Sequence, residues 1–570
     1  MKFRLFYILL SFSLLQANGQ TILHSEIVGK PTASGFSVRA IFGDPVEMAI
    51  LYGTTSGNLV SQTLWQTFSA NSPAEVTVQD LQPNTQYYFK VLYRSPGAST
   101  FIARPERKCV TQKPAGTSFT FTIQADPHLD EQSDTVVYAR CLQNQLDDNP
   151  DFMIDLGDFI MTDKLKKAGT NTIPFDTIPY RCKLQRRYYE KVCHSIPLFN
   201  VLGNHEGETG WFVNNTPNNI AVWDANERNK YFMNPDPDGF YTGDTSNTAF
   251  VGKRKSYFAW NWGDALFIVI DPYWFTKPKP DSLNGWRWTL GRNQYEWLKK
   301  TLETSTSTYK FVFAHQIVGG TGEGRGGAEV SHLYEWGGKN LDGTEGFATK
   351  RPGWYKPIKD LLEEHRVNIF FHGHDHFFGK QQRNCLIYQE TPQPSHPNFS
   401  SVSYADDYGY FEGQIQPNSG HMRVNVSPAG VRVDYVRVYK PASETPTRHN
   451  KDVSATYFIG AVNCYDSLTT EVPILWNSDY ADELVYPNPA QKDLQIEFSV
   501  KQDEHCRMEI LDLQGRVVRT ILNRTPVPKG KFVVHWDGTD PSGKRMPGGQ
   551  YMYRIQKEIS GITTGKINLQ

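Results

Sequence analysis

The stretch TFTIQADPH, residues 120–128, decides the fold of the middle of this chain. Its apolar run predicts a buried strand, and the run stops at Asp126-Pro127-His128. Four further apolar runs also stop at polar side chains, namely DFMIDLGD (151–158), PLFNVLGNHE (197–206), KFVFAH (310–315) and VNIFFHGHDH (367–376). Ligand sites of open α/β sheets lie outside the carboxyl ends of strands, so we expect these five ends to meet at one edge.

Helical segments separate several of the apolar runs, for example NQYEWLKKTLE (293–303) and YKPIKDLLEEH (355–365). Short apolar runs bounded by Gly or Asp are typical of strands that are covered on both faces. Two alternating strands, in HMRVNVSPAGVRVDYVRVYK (421–440), close this region. Residues 114–440 are therefore predicted to form an α/β sandwich.

The five strand ends deliver seven oxygen and imidazole donors: Asp126, His128, Asp158, Asn204, His315, His374 and His376. One ion needs only four to six of them, whereas two ions that share Asp158 would use them all. Two-metal sites, with ions roughly 3.5–4 Å apart, act on phosphate esters. A donor set without thiolate favours Fe, Mn or Zn, of which the sequence does not select one.

The order D-x-H, GD, GNHE, H, GHDH resembles the calcineurin-like metallophosphoesterase superfamily over roughly residues 116–440. The resemblance implies that one metal is bound by Asp126, His128, Asp158 and His376. It implies that the other is bound by Asp158, Asn204, His315 and His374. A water or hydroxide held by the two ions would then attack phosphorus in line.

The resemblance also implies roles beside the ligands. His205 would stabilise the transition state or protonate the leaving oxygen, and Glu206 would orient His205. Asp375 would orient a ligand histidine. His372 falls outside the GHxH pattern and is expected to be structural.

The loop after His315 carries Gly322-Glu-Gly324-Arg325-Gly-Gly327, which formally matches G-x-G-x-x-G. It opens no convincing helix and lacks the βαβ context of a nucleotide fingerprint. We expect a flexible loop at the mouth of the site, from which Arg325 could reach a substrate phosphate.

Residues 20–113 show short alternating strands, and LQPNTQYYFKVLY (81–93) resembles the late strands of a fibronectin type III domain. Such a β-sandwich before this catalytic fold resembles purple acid phosphatases. Those enzymes carry Gly in place of His128 and a ligand Tyr in place of Met161. Without that tyrosinate we expect no purple iron centre.

Residues 441–483 are read as a connector. Residues 484–570 are again strand-rich, and their YPNP opening, QGRVV turn and terminal GKINLQ resemble the C-terminal sorting domain of type IX secretion cargo. The resemblance implies the type IX secretion machinery as a partner. The alternative is an ordinary β-sandwich appendage.

Residues 1–19 have the charged start, apolar middle and small-residue cleavage site of a signal peptide. No later run is long enough for a membrane helix, so the protein is expected to be secreted or attached to the cell surface. The charge balance, 59 Lys and Arg against 60 Asp and Glu, gives no sign of a nucleic-acid partner. Seven scattered cysteines form no disulfide scaffold, although Cys182 and Cys193 could bridge.

Together these features predict a secreted dinuclear-metal phosphohydrolase acting on a small phosphorylated substrate, in first place a phosphomonoesterase. A phosphodiesterase or nucleotidase of the same superfamily is the alternative, because fold alone does not select a substrate. A surface binding protein with an inactive phosphoesterase domain is a third reading, and it would be expected to have lost a ligand.

Overall fold

The computed structural model describes residues 20–170, 172–281, 284–460, 464–467, 483–486, 488–490, 493–500, 502–512, 516–558 and 561–570. The predicted signal peptide, residues 1–19, and much of the predicted connector lie outside these ranges.

The first region is built only from strands. They are β1 Ile22–Gly29, β2 Phe36–Phe42, β3 Val46–Gly53, β4 Ser61–Gln62, β5 Gln66–Phe68, β6 Pro73–Val78, β7 Gln86–Arg94, β8 Ile102–Ala103 and β9 Arg107–Val110. One sheet has the order β1-β2-β6, and the other has the order β4-β3-β7-β8, with β5 beside β3 and β9 beside β7. Alternate side chains of both sheets, among them Val38 and Phe89, share one hydrophobic cluster. The two sheets therefore pack on each other.

Two arginines join this region to the next. The guanidinium of Arg39 on β2 donates to the carbonyls of Asn229, 2.7 Å away, and Phe232, 2.6 Å away. In the other direction, Arg186 donates to the carbonyl of Ser25 at 2.7 Å. These buried charge-assisted bonds fix the first region against the middle one.

The middle region alternates strands and helices. Its strands are β10 Phe119–Gln124, β11 Phe152–Asp155, β12 Leu198–Asn200, β13 Thr242–Gly243, β14 Phe258–Trp262, β15 Ala265–Val269, β16 Tyr309–Phe313, β17 Ile369–His372, β18 Phe378–Arg383, β19 Leu386–Glu390, β20 Gln414–Gln416, β21 Gly420–Ser427, β22 Gly430–Arg437 and β23 Val453–Gly460. Its α-helices are α1 Thr135–Asp147, α2 Thr177–Tyr189, α3 Ile220–Tyr231, α4 Arg292–Thr304, α5 Tyr334–Gly337, α6 Phe347–Lys350 and α7 Ile358–Glu364. Short 3-10 helices occur at Thr162–Lys164, Gly210–Phe212, Gly285–Arg287, Ala328–Val330, Asp406–Tyr408 and Pro441–Ser443.

Two mixed sheets organise these strands. One has the order β12-β11-β10-β21-β22-β23, in which β10, β11 and β12 are parallel. The other has the order β13-β14-β15-β16-β17-β19-β18-β20, in which β15, β16, β17 and β19 are parallel. Within these parallel blocks, β10, β11, β12, β16 and β17 are followed by the segments that carry the predicted ligands.

The burial pattern explains why the apolar runs are continuous. Phe121, Phe313 and Phe371 point between the two sheets and share one aromatic-rich cluster. The alternate residues, such as Val312 and Phe370, point outward into a cluster that includes helices α4 and α7. A strand covered on both faces has no polar side, as parallel sheets require. The predicted α/β sandwich is confirmed for this region.

The predicted Cys182–Cys193 bridge is wrong. Both thiols are free and fully buried in the hydrophobic cluster beneath α1 and α2, where they pack as small apolar side chains. The disulfide instead joins Cys385 to Cys464. It ties the short helix α8, Cys464–Ser467, to the turn between β18 and β19.

The last region again contains only strands in its described part. They are β24 Glu483–Tyr486, β25 Leu494–Val500, β26 Glu504–Leu511, β27 Val517–Val527, β28 Gly530–Trp536, β29 Gly549–Lys557 and β30 Gly561–Leu569. The sheets β24-β25-β28 and β27-β26-β29-β30 share one hydrophobic cluster. Across all the described residues, no helix is both long and apolar enough to span a membrane.

Candidate metal centre

The loops that follow β10, β11, β12, β16 and β17 meet at one edge of the paired sheets. There the structure gathers six of the predicted ligands into two groups, in each of which the ligand atoms lie within 4.8 Å of one another. One group is Asp126, His128 and His376, and the other is Asp158, His315 and His374. These groups match the division expected from the resemblance, although the binding of ions stays a prediction.

The two groups adjoin each other. Asp126 Oδ1 lies 3.3 Å from Nε2 of His376 and 3.6 Å from Nε2 of His128. Asp158 Oδ2 lies 3.0 Å from Nε2 of His315 and 3.9 Å from Nε2 of His128. Asp158 therefore faces ligands of both groups, as a bridging carboxylate must, and so does Asp126, whose Oδ1 lies 3.7 Å from Nε2 of His315.

Five buried polar atoms of the site have no hydrogen-bond partner: Asp126 Oδ1, His128 Nε2, Asp158 Oδ2, Asn204 Oδ1 and His374 Nε2. Burying an unpaired polar atom costs about 1–3 kcal/mol, so such atoms are rare unless something binds them. All five belong to the predicted ligand set. The donor set therefore fits two oxygen- and nitrogen-bound metal ions.

The backbone of the site is held in an uncommon conformation. Asp126, His128, Asp158, His374 and His376 all have left-handed φ angles, between 49° and 81°. Non-glycine residues in this region cost about 1 kcal/mol or more each and cluster at functional sites. These left-handed conformations turn the side chains of nearby positions, such as Asp126 and His128, towards one centre.

Groups around the ligands fix their orientation. Nδ1 of His315 lies 3.0 Å from the carbonyl oxygen of Leu156, which can only accept, so Nδ1 carries a proton and Nε2 faces the centre of the site. Nδ1 of His128 lies 3.5 Å from Oδ2 of Asp130. Both imidazoles thus present Nε2 to the centre of the site.

The electrostatics of the site favour cations. Burial alone would raise the pKa of both carboxyls, but His315 and other imidazoles hold the pKa of Asp126 and Asp158 well below the ordinary range. Conversely, burial would lower the pKa of His315, whereas the carboxylates raise it to about 10. Both carboxylates are ionised at neutral pH and attract positive charge to the centre.

Glu206 binds backbone amides around the site, and its role in orienting His205 stays a prediction. Its fully buried carboxylate accepts from the backbone amides of Asp158, at 2.9 Å, Phe159, at 2.7 Å, and Gly203. A fourth amide, of Ile160, donates at 3.1 Å. Glu206 therefore holds together the two loops that carry Asp158 and Asn204.

Arg325 and Asp375 bind each other, which corrects the role expected of Asp375. Nη1 of Arg325 donates to Asp375 Oδ1 at 2.7 Å, and its guanidinium lies 4.0 Å above the Tyr408 ring. Asp375 Oδ2 accepts from Tyr410 at 2.8 Å and from the amide of Gly326 at 3.0 Å. Asp375 thus anchors the glycine-rich loop to the histidine segment.

His372 has the structural place expected of it. Its ring is buried, stacks on Phe370 with centroids 5.2 Å apart, and lies 2.8 Å from Glu390 Oε2. Burial lowers the pKa of His372 to about 3. Glu390 also accepts from the amides of Asp375 and His376, and so supports the segment that carries two ligands.

Arg181 is a supporting residue that the sequence did not reveal. From helix α2 it donates to the carbonyls of Ile160, at 2.7 Å, and Leu129, at 2.8 Å, and also to that of His128. It thereby joins the loops after β10 and β11. No local pattern marks this role, because its partners are backbone atoms of other segments.

The site opens to solvent on one side. The His205 side chain is 17% exposed and that of His376 is 25% exposed, whereas Asp126 and His315 are fully buried. Nε2 of His205 lies 3.8 Å from Asp158 Oδ2. A substrate entering from this side would meet His205 and His376 first.

Residues 119–378 match the model of the calcineurin-like phosphoesterase family. This stretch is a calcineurin-like phosphoesterase domain. The presence of this domain identifies the protein as a metal-dependent phosphoester hydrolase. The match covers slightly less than half of the chain and includes every predicted ligand.

Two solved structures share the fold of the phosphoesterase domain. One is PhoD, which is 13% identical to this chain. The match covers 78% of this chain and 90% of that chain, with a TM-score of 0.54. The other is the purple acid phosphatase PPD1 from yellow lupin (Lupinus luteus) seeds, which is 14% identical. The match covers 76% of this chain and 74% of that chain, with a TM-score of 0.52. No curated protein matches the chain. Residues 488–561 match the model of the FlgD Ig-like domain.

Proposed function

We propose that this chain is an exported phosphomonoesterase whose phosphoesterase domain works with two metal ions. The observation that supports the proposal most strongly is the set of five unpaired buried donor atoms in the predicted ligands. One ion would be held by Asp126, His128, Asp158 and His376, and the other by Asp158, Asn204, His315 and His374. Bound Fe, Mn or Zn ions would lower the pKa of water and offset charge on the phosphoryl group.

His205 is our candidate for the residue that acts on the substrate. Its amide donates to Asp158 Oδ1 at 2.8 Å, and its carbonyl accepts from the amide of Thr162 at 2.7 Å. The partly exposed imidazole is therefore fixed beside the shared carboxylate. From there it would hydrogen-bond the phosphoryl oxygens in the transition state or donate a proton to the leaving oxygen. Arg325, held by Asp375 at the edge of the site, is the candidate for a further phosphate contact.

We put monoesters first by analogy with the purple acid phosphatase that shares the fold, although fold alone does not select a substrate. A phosphodiesterase or nucleotidase is the competing proposal, since one fold supports several of these reactions. A metal measurement combined with two chromogenic esters separates monoesterase from diesterase activity.

The test measures metal content by mass spectrometry and hydrolysis of 4-nitrophenyl phosphate and bis(4-nitrophenyl) phosphate, before and after chelation. We expect near two metals per chain, faster cleavage of the monoester, and loss of activity with the metals. Asp158→Asn should lower the metal content of both groups and reduce kcat by roughly 10³-fold or more. Asp147→Asn, at an exposed position, is the matched control. Activity that survives chelation would contradict the two-metal proposal.

Export and cell-surface sorting are proposed from the two ends of the chain. The N-terminal two-sheet region is proposed as a fibronectin type III-like domain. Residues 484–570 are proposed as a type IX sorting domain, consistent with the Ig-like match and with their two packed sheets. Deleting residues 484–570 should leave the enzyme inside cells that have type IX machinery. Unchanged release of the shortened chain would contradict the sorting role.

A further inference from the structure

A pocket rich in positive charge lies outside the candidate metal centre. This basic pocket has a volume of about 410 Å³ and is lined by the cations Lys277, Arg287, Lys350 and Arg351 and by the indoles of Trp286 and Trp354. Its two remaining lining residues are neutral. None of the predicted metal ligands lines it, so it is a separate feature of the surface.

The topology places the basic pocket at the edge of the sheet that carries the ligands. Strands β15, β16 and β17 are parallel, so their carboxyl ends lie at one edge. His315 and His374 follow β16 and β17 there, and the loop that follows β15 leaves the sheet at the same edge. Lys277, Trp286 and Arg287 belong to that loop.

Direct contacts join this loop to two segments that carry ligands. The hydroxyl of Tyr273 donates to Oε1 of Gln316, which directly follows a ligand of the second group, at 3.1 Å. The Tyr273 carbonyl accepts from the amide of Gly210, in the loop after β12, at 3.0 Å. The stem of Lys277 packs on Gly210, where an added Cβ would lie only 2.9 Å from Cγ of the lysine. The basic pocket therefore adjoins the loops that carry the predicted ligands.

The walls of the basic pocket are held in place by contacts within the protein. Nη2 of Arg351 donates to the Trp286 carbonyl at 2.7 Å, and Nε of Arg351 pairs with the fully buried carboxylate of Glu335. The Trp354 ring packs on Tyr295, with centroids 4.3 Å apart. A ligand therefore meets a preformed wall, which keeps the entropy cost of binding low.

Two of the four cations keep an unpaired charge. Arg287 is neutralised by Asp281, whose Oδ2 lies 2.6 Å from Nη1, and Arg351 is neutralised by its buried partner. Lys277 and Lys350 are exposed, and no carboxylate of the described residues forms an ion pair with either ammonium group. A phosphate monoester group carries about two negative charges at neutral pH. Indole walls of low dielectric strengthen the attraction of such a group to the two lysines.

We propose that the basic pocket binds a second phosphate group of the substrate, so that the enzyme prefers esters in which a linker joins two phosphates. This inference rests on the proposed hydrolysis of phosphomonoesters and adds a substrate class to it. One phosphate would occupy the metal centre, while Lys277 and Lys350 attract the other. Because the lysines act away from the reacting bond, they contribute to binding and not to the chemical step.

The test compares matched substrates on the metal-loaded, full-length enzyme, with phosphate release as the readout. Butyl, hexyl and octyl phosphate are each compared with the butanediyl, hexanediyl or octanediyl bisphosphate, which adds a phosphate at the far end. For at least one linker we expect kcat/KM to be about 10-fold higher for the bisphosphate, as two exposed ion pairs would give. This exceeds the roughly 2-fold advantage of having two equivalent ends.

Replacing both unpaired lysines, Lys277→Ala together with Lys350→Ala, should abolish the preference by raising KM for the bisphosphate with kcat unchanged. The alkyl monophosphates lack the group that the pocket binds, so their kcat/KM should change less than about 2-fold. The matched control is Lys191→Ala together with Lys300→Ala. It removes two exposed lysines that precede the amino ends of β12 and β16, at the opposite edge, and should keep the preference.

The proposal is overturned if wild type prefers no bisphosphate, or if the preference survives in the double variant. An equal loss on monophosphates and bisphosphates, with a lower melting temperature, would assign the two lysines a structural role and also overturn it.

A wild-type enzyme that hydrolyses neither series contradicts the phosphomonoesterase proposal, and the basic pocket is then tested by binding alone. Calorimetry on the metal-free chain measures the affinity for inorganic tripolyphosphate without a contribution from bound metal. Binding about 10-fold weaker in the double variant than in wild type would support a phosphate site in the pocket. Equal binding would contradict it, so the two proposals fail in distinguishable ways.

Discussion

Glu206 shows how a single carboxylate can organise the loops that carry predicted metal ligands. It accepts from four backbone amides that belong to two loops, so it replaces the hydrogen bonds that a regular strand would have given those amides. Burial raises the pKa of Glu206 to about 7, with Asp158 adding to the effect. Each of the two carboxylate oxygens accepts two hydrogen bonds, so the four amide donors are all satisfied.

We therefore expect Glu206→Gln to destabilise the site rather than to slow a chemical step. One oxygen becomes an amide group, which faces N–H donors and leaves about two of them unmatched, at roughly 2–4 kcal/mol in total. The melting temperature and the metal content should both fall. Glu131→Gln, at an exposed position, is the control. Reduced kcat with unchanged melting and metal content would restore a direct catalytic role for Glu206.

The ligand residues could be predicted because each follows an apolar run, and strand ends in an α/β sheet converge. Asp126 and His315 are examples, since position and residue type together identify them. The carboxylate of Glu206 and the guanidinium of Arg325 could not be placed in this way. Their partners are a backbone loop and a neighbouring carboxylate, and such contacts depend on the three-dimensional path of the loops.

Among the elements, helix α8 is held by a covalent bond that the sequence did not indicate. Cys385 and Cys464 are 79 residues apart, and nothing in their spacing distinguishes them from the other five cysteines. The hydroxyl of Tyr465 also donates to the Val367 carbonyl at 3.2 Å, just before β17 begins. The middle of the predicted connector is therefore attached to the phosphoesterase domain.

Breaking this bond should destabilise the phosphoesterase domain. A closed loop of about 80 residues contributes about 4.5 kcal/mol in the chain-entropy account of disulfides. Cys464→Ser should lower the denaturant midpoint, and a reducing agent should lower wild type to the same midpoint. The reducing agent should leave Cys464→Ser unchanged. Non-reducing peptide mapping should recover the Cys385–Cys464 pair, and recovery of Cys182–Cys193 would contradict the structure.

The arrangement of the strands in the two packed sheets could be predicted only in part. The continuous apolar runs of β10 and β16 indicated strands buried on both faces, and both are. The neighbours of β10 could not be read from the sequence, because β21, which pairs with it antiparallel, lies about 300 residues later. Such long-range pairing depends on which surfaces remain uncovered once the local elements have formed.

At the scale of the whole molecule, the joint between the first region and the phosphoesterase domain contains a charge cluster. Glu75 pairs with Arg39 and Lys30, and Arg39 also holds three carbonyls at the end of α3. Burial would raise the pKa of Glu75, but Arg39 and Lys30 lower it to about 2.

The pKa of Glu75 predicts how acid acts on this joint. A carboxyl whose pKa falls from 4.5 to about 2 on folding stabilises the protein above pH 4.5, by about 3 kcal/mol, and this stabilisation is lost as pH falls towards 2. At pH 7 the apparent free energy of unfolding should be higher for wild type than for Glu75→Gln. This difference should vanish near pH 2. Glu345→Gln, in an exposed ion pair, should show no such gap. A gap that persists at pH 2 would contradict the role of this charge.

The ligands also determine when the site can first exist during synthesis. They come from five segments between Asp126 and His376, and each group takes one histidine from the segment after β17. A nascent chain that stops before Ile369 therefore lacks a ligand from both groups at once. Both halves of the centre become complete together, within three residues of chain growth. Metal uptake by a series of stalled chains would therefore rise in a single step rather than in two.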